Sequence, residues 1–338
     1  MLARPAVTAV YTIAGRRILI AARDTWSAQA VASLFAGWFL KPASENGNGA
    51  PDVTLNIQCG APSPPIPHGF FKFDIPQGGI CHTDGDSFYL DFYGSRVVIG
   101  PGLKREIDIW VEQQYEFGSK VLAQIISQAF SAALRRCGLF EFHSAGLVPP
   151  RRDKAVLIAG DSGSGKSTLT LQLALCGWNF LSDDTLLLDK SESGIEVHAL
   201  RKFFAFTPET IAGAQLTTSS SRPRVPQQTS TNAMKERVTP QELFPDAQIQ
   251  RSKPGSIFFT TVTHEAESRV EPLTPAEGMS KLLRLCPWAA YDKPAAAEHL
   301  GMLAALARET TMFSLFAGRD LLEDPERASN LCLREARV

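Results

Sequence analysis

A glycine-rich segment that ends in lysine and two hydroxyl residues is the part of the sequence best suited to chemistry. Gly160-Asp-Ser-Gly-Ser-Gly-Lys-Ser-Thr168 satisfies the P-loop (Walker A) pattern G-x-x-x-x-G-K-[ST]. Its glycines allow successive backbone N–H groups to turn toward phosphate oxygens. Lys166 would reach the β- and γ-phosphates, and the Ser167 hydroxyl would coordinate Mg²⁺. The predicted nucleotide-binding residues are Gly160, Asp161, Ser162, Gly163, Ser164, Gly165, Lys166, Ser167 and Thr168.

Two adjacent carboxylates, Asp183 and Asp184, form a second group that could do chemistry. They follow a predicted strand over residues 179–182, and side chains of neighbouring extended residues point to opposite faces. One carboxylate could therefore face Mg²⁺ while the other accepts a proton from an attacking hydroxyl. The alternative for the Asp pair is a solvated acidic turn. The alternative for residues 160–168 is a glycine-rich turn that only connects a strand to a helix.

The elements around these residues predict an α/β fold. A predicted strand (155–159) precedes the glycines, a predicted helix (166–176) follows them, and two more predicted strands cover residues 179–182 and 185–188. Apolar residues recur at helical spacing over residues 118–137, and the domain boundary is predicted just before them. Residues 1–117 thus form a β-rich N-terminal module that begins with a hairpin around residues 14–17, and residues 118–338 form the catalytic domain. A mobile loop is predicted over about 213–240, and the C-terminal third is predicted to be helical, best at 281–285 and 295–307.

Composition narrows the classes of protein. The 338 residues carry a net charge of −1, so there is no general attraction to nucleic acid or to a membrane surface. No apolar run is long enough to span a bilayer, and the first residues do not have the pattern of a signal peptide. The six cysteines are scattered and fit a reducing cytoplasm. The sequence also lacks the N-K-x-D motif of GTPases and the L-S-G-G-Q motif of ABC-type ATPases.

Residues 156–184 resemble the catalytic domain of the HPr kinase/phosphorylase family, with its G-D-S-G-x-G-K-S loop, a helix that ends in glycine and an Asp-Asp pair. The family also places a histidine before the strand that leads to the loop, and this sequence has His143 there. The resemblance implies the compact P-loop kinase core shared with phosphoenolpyruvate carboxykinase. It also implies that Lys166 binds phosphate, that Ser167 binds Mg²⁺ and that Asp183 supports the metal. By the same resemblance, Asp184 accepts the proton of the serine hydroxyl and His143 lies near the γ-phosphate.

Three departures from the family pattern bear on the acceptor. The Glu-Ile-Arg-Gly-Leu-Gly motif, which supplies a second metal carboxylate, is absent, and Glu196 or Glu209 could replace it. The candidate for a downstream catalytic arginine is Arg251. Thr168 stands where the bacterial regulators usually carry glutamate. The whole chain looks more similar to the HPr-kinase-like proteins of ribosomal peptide maturation, through its F-H-S-A segment and a tail that begins at Leu315.

The resulting prediction is an ATP- and Mg²⁺-dependent phosphotransferase that acts on a hydroxyl of a peptide or protein, such as a ribosomal precursor peptide. The alternatives are a nucleotide-dependent binding or regulatory module with little turnover and a small-molecule kinase. The oligomeric state stays open. His198, Arg201 and Lys202 could neutralise phosphate charge or form a solvated strand end. Residues 203, 204 and 206 are phenylalanines that are predicted to fill the core, with stacking on adenine as the alternative.

Overall fold

The computed structural model of the chain describes residues 7–43, 49–75, 78–206, 226–228, 234–238, 243–244 and 246–336. Two large β-sheets and eight helices are present in these residues, which confirms a mixed α/β protein. The chain divides into two compact units, residues 1–140 with 288–299 and residues 141–287 with 300–338. Among the described residues, no helix has the length and apolar character needed to cross a bilayer.

The first unit is built on a nine-stranded sheet with the order β3-β1-β2-β4-β9-β8-β7-β6-β5. The three central strands β2, β4 and β9 run parallel, and the other neighbours are antiparallel. The strands are β1 (Val7–Ile13), β2 (Arg16–Ala22), β3 (Lys41–Ala43), β4 (Val53–Cys59), β5 (Phe71–Asp74), β6 (Ile80–Thr83), β7 (Phe88–Phe92), β8 (Ser95–Ile99) and β9 (Glu106–Val111).

The predicted N-terminal hairpin is confirmed. Strands β1 and β2 pair in antiparallel register, with Ile13 opposite Arg16. The two residues between them, Ala14 and Gly15, have φ angles of 45° and 75°. Two positive φ values in a two-residue connection match the twist that a hairpin requires.

Helices α1 (Thr25–Phe35) and α2 (Lys120–Arg136) both pack on the first sheet. Helix α2 contacts β4, β8 and β9, and its Phe130 ring packs against the rings of Phe35 and Trp38. The helix predicted over residues 118–137 is therefore present, but it belongs to the first unit. The division falls after Phe140, whereas the sequence placed the boundary before residue 118. Burial of the apolar stripe of α2 on the sheet explains this difference.

The second unit contains a second nine-stranded sheet, in which β12, β19 and β21 are parallel neighbours. The remaining order along its main path is β10-β14-β15-β19-β12-β11-β13, and β20 pairs with β21. The strands are β10 (Phe140–Phe142), β11 (Ser144–Val148), β12 (Lys154–Ala159), β13 (Asn179–Ser182), β14 (Leu186–Ser191), β15 (Gly194–Ala199), β19 (Arg251–Val262), β20 (Arg269–Pro272) and β21 (Thr311–Ala317).

The core of the second unit lies between the second sheet and two helices, α3 (Lys166–Leu175) and α8 (Pro325–Glu335). Leu169 and Leu173 of α3 pack with Val156 and Ile158 of β12 and with Leu315 of β21, and all five side chains are almost fully buried. These contacts fix the start of α3 at the end of β12. The helices that follow β13 along the chain are α4 (Pro275–Leu285), α5 (Trp288–Tyr291), α6 (Lys293–Glu309), α7 (Arg319–Glu323) and α8 (Pro325–Glu335), and α3 itself is Lys166–Leu175.

The C-terminal third departs from the helical prediction. The predicted helices at 281–285 and 295–307 are present within α4 and α6, but strands β19, β20 and β21 also lie in this region. Seven consecutive residues of β19, 254–260, are buried, so the strand is covered on both faces and lacks the alternation that identifies a half-buried strand.

The mobile loop predicted over about 213–240 lies mostly outside the described residues. Within it, β17 (Pro226–Gln228) and β18 (Met234–Val238) are described as strands of a three-stranded sheet with β16 (Phe204–Phe206). Phe204 and Phe206 are fully buried with Phe180 and Leu171, which confirms their prediction as core residues. Phe203 is also buried.

Candidate functional site

The glycine-rich loop, residues 160–168, leads from the end of β12 into α3. Gly165 caps α3 with a φ of 86°, and Gly160 has a φ of 153°. A Cβ atom at Gly160 would lie 2.6 Å from Ser164 Oγ and 2.8 Å from the carbonyl oxygen of Thr260. No side chain fits at that distance, so the loop requires glycine at this position for packing as well as for backbone conformation.

Lys166, the first residue of α3, is held against the loop that precedes it. The residue is 7% exposed, and its Nζ donates to the carbonyl oxygens of Gly160 at 2.7 Å and Asp161 at 2.9 Å. An ammonium group in this place can donate to phosphate oxygens, with which it would form stronger, charge-assisted hydrogen bonds. Ser167 and Thr168 are partly exposed on the first turn of the same helix.

Asp183 and Asp184 lie in a bend directly after β13, as the strand prediction over residues 179–182 required. The Ser182 hydroxyl shapes the bend, because it accepts from the backbone N–H of Asp184 and Thr185 and donates to the carbonyl of Thr185. The two carboxylates differ in environment. Asp183 is 2% exposed, whereas the side chain of Asp184 is 27% exposed.

Asp184 is the centre of a cluster with His143 and Arg201. Its Oδ1 lies 3.2 Å from His143 Nδ1, and its Oδ2 accepts a hydrogen bond from Arg201 Nη1. Oδ2 also accepts from the Thr185 hydroxyl at 3.1 Å. The three residues come from separate elements, since His143 lies between β10 and β11 and Arg201 follows β15. We call His143, Asp184 and Arg201 the Asp184 cluster.

The charges of the cluster act on His143. Partial burial of the imidazole lowers the pKa of His143, and the carboxylate of Asp184 opposes this by favouring the protonated ring. The positive charges of Lys166 and Arg201 lower the pKa further. The ring is therefore mainly neutral at pH 7. The ammonium group of Lys166, at the start of the helix that follows the glycine-rich loop, is thus one of the charges that act on His143.

Three other candidate residues, Glu196, His198 and Arg251, lie next to one another. Glu196 Oε2 is 3.6 Å from His198 Nε2 and 3.8 Å from Arg251 Nη1, so the proposed replacement carboxylate and the candidate arginine contact each other. Both lie at the end of the sheet where β19 begins, and β19 rises roughly 26 Å from Arg251 to Phe259 beside the loop. The roles suggested for Glu196 as a metal ligand and for Arg251 as a catalytic arginine stay predictions. Glu209 lies outside the described residues.

Helix α4 adds two cations beside the glycine-rich loop that the sequence analysis did not single out. A pocket of about 240 Å³ is lined by residues 160–164 of the loop, residues 259–262 at the end of β19, and Lys281, Arg284 and Leu285 of α4. Arg284 Nη2 lies 3.3 Å from Asp161 Oδ2. The only sequence feature that could have indicated them is the i, i+3 spacing of two cations on one helix face.

The donors available for Mg²⁺ are oxygen atoms, which this ion prefers. The groups that would hold Mg²⁺ are the Ser167 hydroxyl and the carboxylate of the buried Asp183. Among the described residues, no group of three or more His, Cys, Asp or Glu side chains could hold a metal ion alone. This donor set fits an ion that arrives with a nucleotide, because Mg²⁺ usually combines one or two protein ligands with phosphates and water.

No protein-family model and no curated protein matches this chain. Among solved structures, the HPr(Ser) kinase/phosphatase from Coxiella burnetii matches with 14% sequence identity and a TM-score of 0.30. The alignment covers 57% of this chain and 88% of that chain. A TM-score this low supports a distant relationship at most, and it carries no weight for the function of this chain.

Proposed function

We propose that this chain is an ATP-dependent phosphotransferase with a P-loop kinase core of the HPr kinase type, and that it transfers the γ-phosphoryl group of ATP to a peptide or protein serine hydroxyl. The observation that carries the proposal is the Asp184 cluster. A partly exposed carboxylate contacts a neutral histidine and an arginine, and the lysine of the glycine-rich loop acts on the same histidine. Phosphoryl transfer needs such a proton acceptor beside cations that offset phosphate charge.

In the proposed step, the acceptor oxygen attacks the γ-phosphorus and the bond between that phosphorus and the β,γ-bridging oxygen breaks. ADP leaves, and the hydroxyl proton passes to the carboxylate of Asp184. Arg201 now donates to Asp184. A bound γ-phosphate offers this guanidinium a second anionic partner, and a shift of Arg201 toward it would make Asp184 a stronger base. His143 would hold Asp184 Oδ1 in place during that exchange.

Nucleotide binding in this proposal rests on the glycine-rich loop. Residues 160–168 present backbone N–H groups, and Lys166 would exchange its two carbonyl acceptors for phosphate oxygens. Ser167 and Asp183 would hold Mg²⁺, which offsets phosphate charge when bound. The partly exposed Asp184 then remains available for the acceptor.

The acceptor class follows from the resemblance of the F-H-S-A segment and the tail to HPr-kinase-like proteins of peptide maturation. We propose a hydroxyl of a peptide, such as a ribosomal precursor peptide, as the acceptor, and the cytoplasm as the compartment. The six cysteines are all free thiols, and three of them are buried. Free thiols are compatible with a reducing compartment.

The proposal is tested by following ATP and Mg²⁺ by ³¹P NMR, first without an acceptor and then with serine-containing peptides. The variants are Lys166→Ala and Asp184→Asn, and Asp153→Asn at an exposed carboxylate outside the site is the matched control. We expect hydrolysis, self-phosphorylation or peptide phosphorylation that both site variants lose and the control keeps. Failure of the wild type to bind ATP would overturn the proposal.

Two other outcomes would replace the proposal with a different function. ATP binding without transfer to any acceptor would indicate a nucleotide-dependent binding module. Transfer to free amino acids or sugars, with no transfer to peptides, would indicate a small-molecule kinase. Undiminished transfer in Asp184→Asn would remove Asp184 as the proton acceptor.

A further inference from the structure

The pocket between the glycine-rich loop and α4 is separate from the Asp184 cluster. Its lining includes residues 160–164 of the loop, but neither Lys166 nor any residue of the Asp184 cluster. If the γ-phosphate of a nucleotide lies at Lys166 and Asp184, its other phosphates and its nucleoside must extend away from these two residues. The pocket borders the beginning of the same loop and therefore offers a place for that part of the nucleotide.

The walls of the pocket combine apolar surface with positive charge. Phe259, Val262 and Leu285 provide apolar atoms, and the exposed hydroxyl group of Thr261 provides hydrogen-bonding capacity. Lys281 Nζ lies 5.7 Å from the centroid of the Phe259 ring. This mixture suits a ligand with a flat apolar part and an adjacent anionic part, which is the chemistry of a nucleoside phosphate.

The ion pair between Arg284 and Asp161 leaves Arg284 able to change partner. The side chains of Arg284 and Asp161 are 67% and 69% exposed, and their nearest charged atoms are 3.3 Å apart. An exposed pair of this kind contributes little to stability, because water and salt screen it. A phosphate, which carries more charge than a carboxylate, can therefore draw the guanidinium away from Asp161.

We propose that this pocket receives the nucleoside and the ribose-proximal phosphate of the nucleotide, and that Lys281 and Arg284 are its cationic contacts. This inference rests on the proposed function, since it assumes that the glycine-rich loop binds a nucleotide. The volume of about 240 Å³ lies below the ~300–1,000 Å³ of sites that enclose a whole drug-sized ligand. The pocket therefore accommodates a part of the nucleotide, and the glycine-rich loop holds the terminal phosphates.

The test compares two probes, ATP and inorganic pyrophosphate, by titration calorimetry in the presence of Mg²⁺. Pyrophosphate carries only the groups that the loop would hold. Arg284→Ala and Lys281→Ala should each weaken ATP binding about five- to tenfold and leave pyrophosphate binding unchanged, as loss of a charge-assisted contact predicts. Arg308→Ala, which removes an exposed cation from α6 and is not part of the pocket, is the matched control and should change neither affinity.

A double substitution distinguishes two roles of Arg284, direct contact with the nucleotide and neutralisation of the Asp161 charge. If Arg284 only offsets the Asp161 charge, Arg284→Ala should have no effect on ATP affinity once Asp161→Asn is present. If Arg284 contacts the nucleotide, the five- to tenfold loss should persist in the Asp161→Asn background. Three results would each overturn the inference. The first is that Arg284→Ala no longer weakens ATP binding in the Asp161→Asn background. The others are that the α4 variants weaken ATP and pyrophosphate binding equally, or weaken neither.

The failure of this inference differs from failure of the proposed function. Lys166→Ala should lose both probes if the glycine-rich loop binds phosphate at all. If Lys166→Ala loses binding of both probes while the two α4 variants keep the ATP affinity of the wild type, the proposed role of the pocket is rejected and the proposed function is retained. Absence of ATP binding in the wild type would reject both.

Discussion

Two aspartates in this protein each face two nitrogen-containing side chains, and their surroundings separate a candidate reactive group from a structural one. Asp184 contacts His143 and Arg201 and keeps 27% of its side-chain surface exposed. Asp292 contacts Arg135 and Arg136 at 2.8 Å and has no exposed surface. The chemistry of the contacts is alike, but access to water and to a substrate exists only at Asp184. Exposure therefore distinguishes the two aspartates better than their hydrogen-bond partners do.

The buried charges of the first unit hold one another in place. Burial on its own would raise the pKa of Asp292, but Arg135 and Arg136 together hold it below its usual value. The Arg135 guanidinium also lies 4.5 Å from the centroid of the Trp288 ring. A buried carboxylate between two arginines is costly to leave unpaired, and so is either arginine. The group links α2 to the segment 288–299 within one unit.

Replacing Asp184 should have the largest effect, and it should fall on activity. Asp184→Asn keeps the shape of the side chain but cannot accept the hydroxyl proton, so transfer should fall about 10²- to 10⁴-fold. Its free energy of unfolding should change by less than about 1 kcal/mol, because the group is partly exposed and its ion pair is screened. Single-turnover kinetics and urea denaturation measure the two quantities. A loss of stability as large as the loss of activity would erase the contrast with Asp292.

Replacing Asp292 should have the opposite profile. Asp292→Asn leaves the guanidinium groups of Arg135 and Arg136 buried without their carboxylate, so the free energy of unfolding should fall by roughly 3–5 kcal/mol. The ATP affinity of the folded protein should not change. Urea denaturation followed by circular dichroism, with calorimetric titration of ATP under native conditions, tests both statements. A stability equal to that of the wild type would show that the buried charges are not coupled as their distances indicate.

A neighbouring histidine should make the stability of the first unit depend on pH. Burial lowers the pKa of His299 from 6.5 to about 4, and its ring stacks on Phe140 with the centroids 4.4 Å apart. Below pH 6.5 the unfolded chain binds a proton that the folded protein rejects. Stability should therefore decrease as the pH falls from about 6.5 to about 4, by up to about 3 kcal/mol from this residue.

Thermal unfolding across this pH range measures the effect. His299→Phe keeps an aromatic ring against Phe140 and should flatten the dependence, whereas His143→Gln in the partly exposed Asp184 cluster should flatten it less. An unchanged slope in His299→Phe would assign the pH dependence to other groups.

The smallest effects concern the pKa of His143. Arg201→Ala and Lys166→Ala each remove a positive charge that lowers this pKa, so it should rise in both variants. Asp184→Asn removes the carboxylate that raises it, so it should fall there. NMR titration of the imidazole proton signals, with His143→Gln to assign the resonance, gives the sign of each change. A change in the opposite direction in any variant would contradict the arrangement of the cluster.

Sequence separation sets the limit of what could be predicted about the site. The glycine-rich loop, the start of α3 and the position of Asp184 after a strand all depend on residues close together in the chain, and the structure places each as expected. The sequence leaves two roles open for Arg201, phosphate neutralisation or a solvated strand end, because its contact with Asp184 depends on how β15 ends. The ion pair between Glu196 and Arg251 could not be predicted, because it depends on the pairing of β15 with β19.

The sequence by itself determined the local conformations: the two-residue hairpin of β1 and β2, the glycine-rich loop at the end of an apolar strand, and the amphipathic helix α2. Glycine content, apolar spacing and turn residues act over a few neighbouring positions, so these elements follow from short segments. Only the tertiary structure decided that α2 belongs to the first unit, that His143 and Arg201 meet Asp184, and that Arg284 lies beside Asp161. These contacts join segments far apart in the chain, and strand order and helix packing select them.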